Sequence, residues 1–473
     1  MHEKTAGAGD VPWRPELSAG EGGKAAGIVA ALIAALRSGR LRPGDRLPPQ
    51  RRLAQELGVD LTTVMRGFRL ARERGLVVGR AGQGSFVAEG ALAALGPAVP
   101  TLAAPVDLSM NSPPQPAAAR LGARIGQGIA AMLSDRSGLA RLHYGESGGS
   151  PGDRAVAAQL LEPRLGPLPP ERVVLASGSQ SALHALCALL LRPGDQLLCG
   201  EFTYPGLIAV AARHGVRLVP LAMDRAGILP EALTQRLRAL RPKALYLIPS
   251  ADNPTAATLP LERRARLAEI TAEHGIAIIE DDAYGMLQEA DLPPMARLVP
   301  ERTWHVATLS KCATPALRTA LVAAPSGTEA DRLVQMLRAT CLMPPPLMTG
   351  LAMRWSEDGS LLAIRDAIRA ENRARQHLAA DMLAAFRPAA DPACPHLWLR
   401  LPEGWRADIF TGEAGRLGLS VTPGDAFAVG APAIEAVRVS LGVPDDRAAL
   451  AEALVRLRRL LERQPAAAGR PVI

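Results

Sequence analysis

The apolar positions near the start of the chain recur at helical spacing. Over residues 26–38 they fall every three or four positions, which predicts an amphipathic helix that stops at Gly39. These apolar positions are Ile28, Val29, Leu32, Ile33 and Leu36. A second, shorter helix is predicted over residues 50–57. Asp60 is a suitable N-cap residue for a third helix that runs to about Arg74.

A hairpin is predicted directly after the third helix. Residues 76–78 and 85–87 are two short runs of strand-forming residues, and the glycine-rich segment 79–84 joins them. Three helices followed by a hairpin, with a tight Gly-Val turn between the second and third helices, are typical of a winged helix-turn-helix.

The pattern changes after this hairpin. Residues 89–106 are rich in Ala, Pro and Gly and poor in charge, as expected of a linker. Beyond it, apolar strand-like runs alternate with amphipathic helical stretches, which predicts an α/β domain with a parallel sheet. The predicted strands include residues 173–176, 196–199, 244–248, 277–280 and 321–324. After about Ala324 the pattern is mostly helical, and short strands near residues 396–401 and 436–440 indicate a small C-terminal α+β subdomain.

The positive charge of the chain is concentrated in one segment. The formal net charge is +8, and residues 24–88 contain twelve Lys and Arg against four Asp and Glu, so the rest of the chain is neutral. A basic segment on a neutral body indicates a nucleic-acid partner. Arginine enrichment from GC-rich coding would not explain why the excess positive charge lies in this one segment of the chain.

The composition favours a cytoplasmic protein. Hydrophobic residues make up 48% of the chain, which fits a globular protein. The five cysteines are scattered, with no C-x-x-C pair or neighbouring histidine cluster, so we expect neither disulfides nor a metal site. No apolar run reaches the length of a membrane span, and residues 1–10 lack the basic and apolar regions of a signal peptide.

Five residues of the basic segment are candidates for contacting DNA. Thr62, Thr63 and Arg66 lie at the start of the third predicted helix, the end that faces the bases in a helix-turn-helix. Arg51 opens the second helix and could hold the DNA backbone, while Arg80 lies in the narrow loop of the hairpin. A helical dimerisation cap with a solvated basic face is the alternative that stays open.

A second group of candidates surrounds Lys311. This lysine ends a strand-like run, with Thr308 and Ser310 just before it and Arg318 seven residues later. The amine could form a Schiff base with an aldehyde cofactor, and the hydroxyls and the guanidinium could bind a phosphate. A surface lysine after a strand is common, so this motif alone is weak.

Other polar residues along the chain strengthen the interpretation. Ser179 and Gln180 follow a predicted strand and open a helix, where backbone N–H groups can bind a phosphate. Tyr204 could stack on a cofactor ring, and Asn253 could donate its amide to a ring oxygen.

Carboxylates and an arginine complete this group. Asp281 and Asp282 end another predicted strand, where a carboxylate is costly unless it has a partner such as a protonated pyridine nitrogen. Either aspartate could take this role. Arg438 could bind a ligand carboxylate, although a structural salt bridge would also explain it.

Residues 26–88 resemble the GntR family of bacterial regulators. The motifs are Arg40-Leu41-Arg42-Pro43-Gly44-Asp45-Arg46-Leu47-Pro48, Leu53-Ala54-Gln55-Glu56-Leu57-Gly58-Val59, Thr62-Thr63-Val64 and Gly84-Ser85-Phe86-Val87. The resemblance implies that Arg51, Thr62 and Thr63 contact DNA. Leu61 stands where the family commonly has an arginine, so the operator sequence does not follow from relatives.

Residues 107–463 resemble the class I/II aminotransferases, the fold-type-I proteins that use pyridoxal phosphate (PLP). The resemblance implies Lys311 as the Schiff-base lysine, Asp281 on the pyridine nitrogen and Arg438 for an amino-acid carboxylate. It further implies Asn253 and Tyr284 on the phenolic oxygen, Tyr204 on the ring, and Ser179, Gln180, Thr308, Ser310 and Arg318 around the phosphate. Tyr144 matches a tyrosine that reaches the phosphate of a neighbouring subunit, which requires a homodimer. Ala256 and Ala320 depart from the family's usual glycines.

The order of the two parts resembles the MocR-type branch of GntR regulators. We therefore divide the chain into a winged helix-turn-helix at residues 24–88, a linker at 89–106 and an aminotransferase-like α/β domain at 107–463. The resemblance implies a cytoplasmic transcriptional regulator, associated with the nucleoid when it binds double-stranded operator DNA, that senses an amine, an amino acid or PLP itself. The alternative is an active aminotransferase with a DNA-binding head. A PLP-free scaffold is disfavoured because no key residue is missing.

Overall fold

The computed structural model describes two units. It describes Trp13 and residues 23–37, 40–80, 83–91, 105–134, 139–288, 292–430 and 434–463. The chain divides into one unit over Met1–Ala103 and a second over Ala104–Ile473. Most of the predicted linker lies outside the described residues. No helix within the described ranges is long and apolar enough to cross a membrane.

The first unit contains three helices and a hairpin, as predicted. They are α1 (Gly23–Arg37), α2 (Gln50–Leu57), α3 (Leu61–Glu73), β1 (Val77–Arg80) and β2 (Gly84–Val87), with β1 and β2 antiparallel. Its core includes Leu32, Leu53 and Phe68, which are almost fully buried. Asp60 precedes α3 as predicted, but its side chain makes no capping hydrogen bond.

The second unit is built around a seven-stranded sheet. The unit begins with the short strand β3 (Val106–Asp107). The large part that follows contains, in chain order, α4 (Leu121–Met132), α5 (Pro151–Leu165), β4 (Val173–Ala176), α6 (Ser179–Leu190), β5 (Gln196–Gly200), α7 (Pro205–Arg213), β6 (Arg217–Leu221), β7 (Met223–Asp224), β8 (Gly227–Ile228), α8 (Pro230–Ala239), β9 (Ala244–Leu247), α9 (Leu261–Glu273), β10 (Ala277–Asp282), α10 (Met295–Leu298), β11 (Thr303–Thr308), β12 (Ala320–Ala323), α11 (Gly327–Cys341) and α12 (Pro346–Glu357). The strand order is β4-β12-β11-β10-β9-β5-β6.

The sheet is mixed, which corrects the prediction of a parallel one. Strand β12 runs antiparallel to both of its neighbours, β11 and β4. Only residues 309–319 connect β11 to β12, and a parallel crossover needs a dozen or more residues. The short connection therefore makes the chain turn back directly, and it places Lys311 at the end of the sheet.

The remaining elements form the small subdomain. They are α13 (Ser360–Met382), β13 (Ala389–Ala390), β14 (His396–Arg400), α14 (Ala407–Arg416), β15 (Leu419–Ser420), β16 (Thr422–Pro423), β17 (Ala436–Ser440) and α15 (Arg447–Leu461). Four strands form an antiparallel sheet in the order β13-β14-β17-β16. The last residue of the predicted linker, Val106, lies in β3, which pairs with β15. This pairing holds residues 106–107 on the small subdomain.

The two faces of the large sheet have separate hydrophobic cores. Tyr246 and Ile279 belong to one core, while Leu247 and Ile278 belong to the other. Because consecutive strand residues point to opposite faces, Asp281 shares the face of Ile279, and its two neighbours in the chain point to the opposite face.

Candidate cofactor site and nucleic-acid interface

The predicted DNA contacts lie on the solvent-facing side of the first unit. Thr62 and Arg66 are exposed on α3, and Thr63 is half-buried. The opposite side of α3 buries Val64 and Phe68 in the core of the unit. The start of α3 is therefore free to face a partner.

The other two predicted contacts lie on α2 and on the hairpin. Arg51 is exposed at the start of α2 and forms no ion pair with the described residues. Its neighbour Arg52 is paired with Glu56 at 2.8 Å. Arg80 is also exposed, and its guanidinium lies over the ring of Phe86, 4.6 Å from the ring centre. The stacking steadies an arginine that remains accessible from the tip of the hairpin.

In the second unit, Lys311 follows β11 and is half-buried. Its Nζ donates a hydrogen bond to the backbone oxygen of Asn111. Burial and the positive charge of Arg438 lower the pKa of Lys311 to about 8, although the negative charge of Asp281 acts in the opposite direction. A larger fraction of this amine is therefore unprotonated near neutral pH than for an exposed lysine, as a nucleophile requires.

Asp281 is buried at the end of β10. Its Oδ2 accepts a hydrogen bond from the hydroxyl of Tyr246 at 2.9 Å, and its Oδ1 has no partner among the described residues. Burial raises the pKa of Asp281 to about 6, while the Tyr246 hydrogen bond acts to lower it. A buried acceptor without a partner is costly, which suggests that a ligand group satisfies it.

Asp282 has different surroundings. Its Oδ2 is 2.7 Å from Nε of Arg164, and the Asp282 side chain is 1% exposed. His305 also lies nearby, with Nε2 at 3.7 Å from the same oxygen. Each aspartate therefore has one oxygen, Oδ1, without a hydrogen-bond partner among the described residues, but only Asp282 is held in an ion pair with an arginine. The resemblance to the aminotransferases assigns the ring nitrogen to Asp281.

Two hydrogen bonds orient Tyr284 and Asn253. The Tyr284 hydroxyl accepts a hydrogen bond from Nδ2 of Asn111 at 2.7 Å, so its own proton is available to another acceptor. Arg438 donates from Nη1 to Oδ1 of Asn253 at 2.8 Å, and this leaves the Asn253 amide NH₂ to point elsewhere. Arg438 is buried, and its Nε has no partner among the described residues.

The turn before α6 and the segment after β11 meet at Arg318. Gly178 precedes α6 with a positive φ of 86°, and Ser179 is the first residue of the helix. Arg318 donates from Nη2 to the backbone oxygen of Ser177 at 3.2 Å. A Cβ on Gly178 would lie 2.9 Å from that Nη2, so a side chain there would displace the guanidinium. Only glycine combines this φ with the close approach.

The predicted phosphate ligands Thr308, Ser310 and Gln180 make hydrogen bonds of their own. Thr308 donates its hydroxyl to Oγ of Ser310 at 3.0 Å, next to Lys311 in the chain. Gln180 donates from Nε2 to the backbone oxygen of Gly206 at 3.0 Å, and its Oε1 has no described partner. A Cβ on Gly206 would come within 2.3 Å of both this Oε1 and the half-buried ring of Tyr204.

These residues fit PLP as a group. The unpartnered Asp281 oxygen suits a protonated ring nitrogen, and a helix start with Arg318 and hydroxyls suits a phosphate dianion. Lys311 supplies an amine of lowered pKa. No single one of these features would identify the cofactor, but all three are present within the second unit.

The structure also describes two further residues that the sequence singles out. Tyr144, predicted to serve a neighbouring subunit, is 85% exposed and makes no hydrogen bond to the described residues. Ala256 has a positive φ of 57°, the backbone conformation that the family's usual glycine would adopt without strain.

Sequence reasoning missed three buried residues of the site: Asn111, Tyr246 and His396. Tyr246 has a signal in the sequence, because a tyrosine within an apolar strand needs a partner for its hydroxyl. Asn111 and His396 have no comparable signal in the sequence. His396 donates a hydrogen bond from Nε2 to the backbone oxygen of Asp252 at 3.0 Å, and burial lowers the pKa of His396 to about 3.

Comparison with protein families agrees with this geometry. Residues 105–454 match the model of aminotransferase class I and II, which covers most of the chain. The chain belongs to the aminotransferase class I and II family. PLP, the predicted cofactor, is the cofactor that membership of this family implies. Residues 24–87 match the model of bacterial regulatory proteins of the gntR family. The chain is thus a GntR-type regulator fused to an aminotransferase-like domain, as predicted.

The individual relatives match different shares of the chain. The chain is 29% identical over 454 residues to an uncharacterised helix-turn-helix transcriptional regulator, YdeF, of Bacillus subtilis, covering 95% of this chain and 97% of that one. It is 30% identical over 344 residues to a 2-aminoadipate transaminase of Thermus thermophilus, covering 70% and 85% of the two chains. Among solved structures, LysN, an α-aminoadipate aminotransferase of Thermus thermophilus complexed with N-(5'-phosphopyridoxyl)-L-leucine, matches with a TM-score of 0.69. Its identity is 26%, with 76% of this chain and 92% of that chain covered.

Proposed function

We propose that this regulator binds PLP through Lys311 and that an amine or amino-acid effector acts at the same site to change its binding to operator DNA. The observation that carries the proposal is the buried, unpartnered oxygen of Asp281, whose charge acts on the Lys311 amine. When bound, PLP supplies an aldehyde that condenses reversibly with amines, so that an effector amine and the amine of Lys311 compete for it.

Each residue of the group has a proposed role toward the cofactor. Asp281 holds the ring nitrogen, and Asn253 and Tyr284 donate to the phenolic oxygen. Tyr204 stacks on the ring. The phosphate is held by Ser179, Gln180, Thr308, Ser310 and Arg318. Tyr144 of a second copy reaches the same phosphate, which explains why a large tyrosine is left exposed in one chain.

Arg438 is the proposed site for an effector carboxylate. It is buried, and burial lowers its pKa, so an anion that replaces part of its present contacts would be bound strongly. One of those contacts is Asn253, a proposed cofactor ligand. An effector that binds Arg438 would therefore change the hydrogen bonding of Asn253 as well.

The proposed DNA contacts are Arg51, Thr62, Thr63, Arg66 and Arg80. In a homodimer two winged helices would read two half-sites. An effector can change this binding only through different affinities for two arrangements of the dimer. We place such a protein in the cytoplasm, at the nucleoid when it is bound to DNA.

An active aminotransferase is the second candidate. It is favoured by the lowered pKa of Lys311 and by the 30% identity to a transaminase. Formation of a 2-oxo acid from an amino acid by the purified protein, with return of the cofactor on addition of a second 2-oxo acid, would support it.

The regulator is tested with the full chain and PLP. We expect a visible absorbance band that is absent in Lys311→Ala and retained in Lys243→Ala, a matched variant at an exposed lysine. We also expect an effector-dependent shift of promoter DNA taken from beside the protein's own gene. Absence of any specific DNA binding, with or without PLP, would contradict the regulator.

A further inference from the structure

Tyr246 lies in the middle of β9 and is 1% exposed. It pairs with Ile279 in the register between β9 and β10, so its side chain shares a sheet face with Asp281. Its hydroxyl donates to Oδ2 of Asp281 at 2.9 Å. The ring is surrounded by the core of the large sheet, and the hydroxyl therefore has a fixed position.

This hydrogen bond gives the two carboxylate oxygens of Asp281 different surroundings. Oδ2 is occupied by Tyr246, and Oδ1 has no partner among the described residues. A carboxylate rotates about its Cβ–Cγ bond unless a donor holds one oxygen. The hydroxyl therefore determines which oxygen is left for the cofactor.

We propose that Tyr246 is a positioning residue that directs Oδ1 of Asp281 toward the ring nitrogen of PLP and keeps this carboxyl group ionised. The inference rests on the proposed function, because it assigns a role toward the same cofactor. Tyr246 acts through Asp281 and has no proposed contact with the reacting atoms.

The surrounding charges make this one hydrogen bond decisive. Burial and the neighbouring Asp282 favour the neutral form of Asp281, whereas Lys311 and His305 favour the ionised form. Asp252 also acts electrostatically on Tyr246, but burial raises the pKa of Asp252 to about 7, so this carboxyl group is only partly ionised near neutral pH. The pKa of Asp281, about 6, lies close enough to neutral pH for the loss of one donor to change its charge.

The first test uses the protein without PLP. Tyr246→Phe removes the hydroxyl and keeps the ring, and infrared difference spectra follow protonation of the Asp281 carboxyl, assigned with Asp281→Asn. We expect the midpoint to rise by about one to two pH units in Tyr246→Phe, because a hydrogen bond to a charged group is lost. An unchanged midpoint would overturn the proposal.

The second test measures the affinity for PLP by its visible absorbance at pH 7. We expect about tenfold weaker binding in Tyr246→Phe. We expect a change below about threefold when the same substitution is added to Asp281→Asn, since the effect passes through that carboxyl. Equal losses in both backgrounds would mean a general packing defect and would overturn the proposal.

A matched variant controls for the loss of a buried hydroxyl. Thr271 is fully buried in α9 and donates to the backbone oxygen of Leu267 at 2.8 Å, away from the site. Thr271→Val should leave the Asp281 midpoint and the affinity for PLP unchanged. If the wild-type protein binds no PLP at all, the proposed function fails, while the carboxyl titration without PLP still decides the role of Tyr246.

Discussion

The ion pair between Arg164 and Asp282 gives a quantitative test of how the two adjacent aspartates divide their roles. The pair joins α5 to β10 at 2.7 Å, with side-chain exposures of 17% and 1%. Arg164→Met keeps the aliphatic part of the side chain and removes the charge. It leaves Asp282 as a buried carboxylate without its main partner, a change that costs about 3–5 kcal/mol. His305 Nε2, 3.7 Å from the same oxygen, can replace part of the lost interaction, so we expect about 3 kcal/mol.

The loss is measured by urea unfolding of the second unit. Four of the five tryptophans lie there, at positions 304, 355, 398 and 405, so intrinsic fluorescence reports mainly on this unit. Arg164→Met should move the transition to lower urea. The band of bound PLP should survive under conditions in which the protein is folded, because Asp281 on the opposite sheet face is untouched.

Two variants make the result interpretable. Adding Asp282→Asn to Arg164→Met removes the orphaned charge and should recover most of the lost stability. Arg266→Met breaks an exposed pair with Glu269, of side-chain exposures 52% and 60%, and should cost less than about 1 kcal/mol. If Arg164→Met costs no more than Arg266→Met, the buried pair does not stabilise the sheet, and the assignment of Asp282 to structure is refuted.

Three further predictions concern other parts of the chain. Asp281→Asn should stabilise the protein without PLP by up to about 3 kcal/mol at pH 8, because the raised pKa of about 6 makes ionisation in the folded state costly. This gain should shrink as the pH falls from 6 to 4, and a gain that is constant across this range in urea unfolding would contradict the explanation. Ala256→Gly should raise stability by about 0.5–1 kcal/mol, since the φ of 57° strains an alanine, and an unchanged or lower unfolding midpoint would argue against strain. Arg66→Ala should weaken operator binding by about 1–3 kcal/mol in a titration at fixed salt and leave the PLP band intact, whereas loss of both would mean a structural role.

Most elements of the fold follow from local sequence signals. The second helix was predicted at residues 50–57 and is observed at Gln50–Leu57, because Gly58 directly after it adopts the left-handed conformation that ends a helix. The strand at Val173–Ala176 was likewise recognisable as a short apolar run before a small-residue turn. These signals act over a few residues and are therefore visible without a tertiary structure.

The sequence motifs and their order along the chain identify the candidate site, but they do not predict the hydrogen bonds between its residues. Asn111 contacts both Lys311 and Tyr284 from 200 and 173 residues away in the chain. No local pattern marks such a residue, since its role depends on where the backbone passes after folding. The predicted parallel direction of β12 was also wrong. The direction of this strand depends on the length of the segment that connects it to β11 rather than on the composition of the strand.

Residue patterns alone identify a basic winged helix joined to an aminotransferase-like domain, with Lys311 and a pair of aspartates as the central candidates for its site. Strand alternation already required Asp281 and Asp282 to point to opposite faces. The fold assigns each aspartate its surroundings: Arg164, 118 residues before Asp282 in the chain, contacts Asp282 on one face of the sheet, and Tyr246 contacts Asp281 on the other. Partners so distant in sequence are brought together by the packing of whole helices and strands, and local residue patterns do not encode that packing.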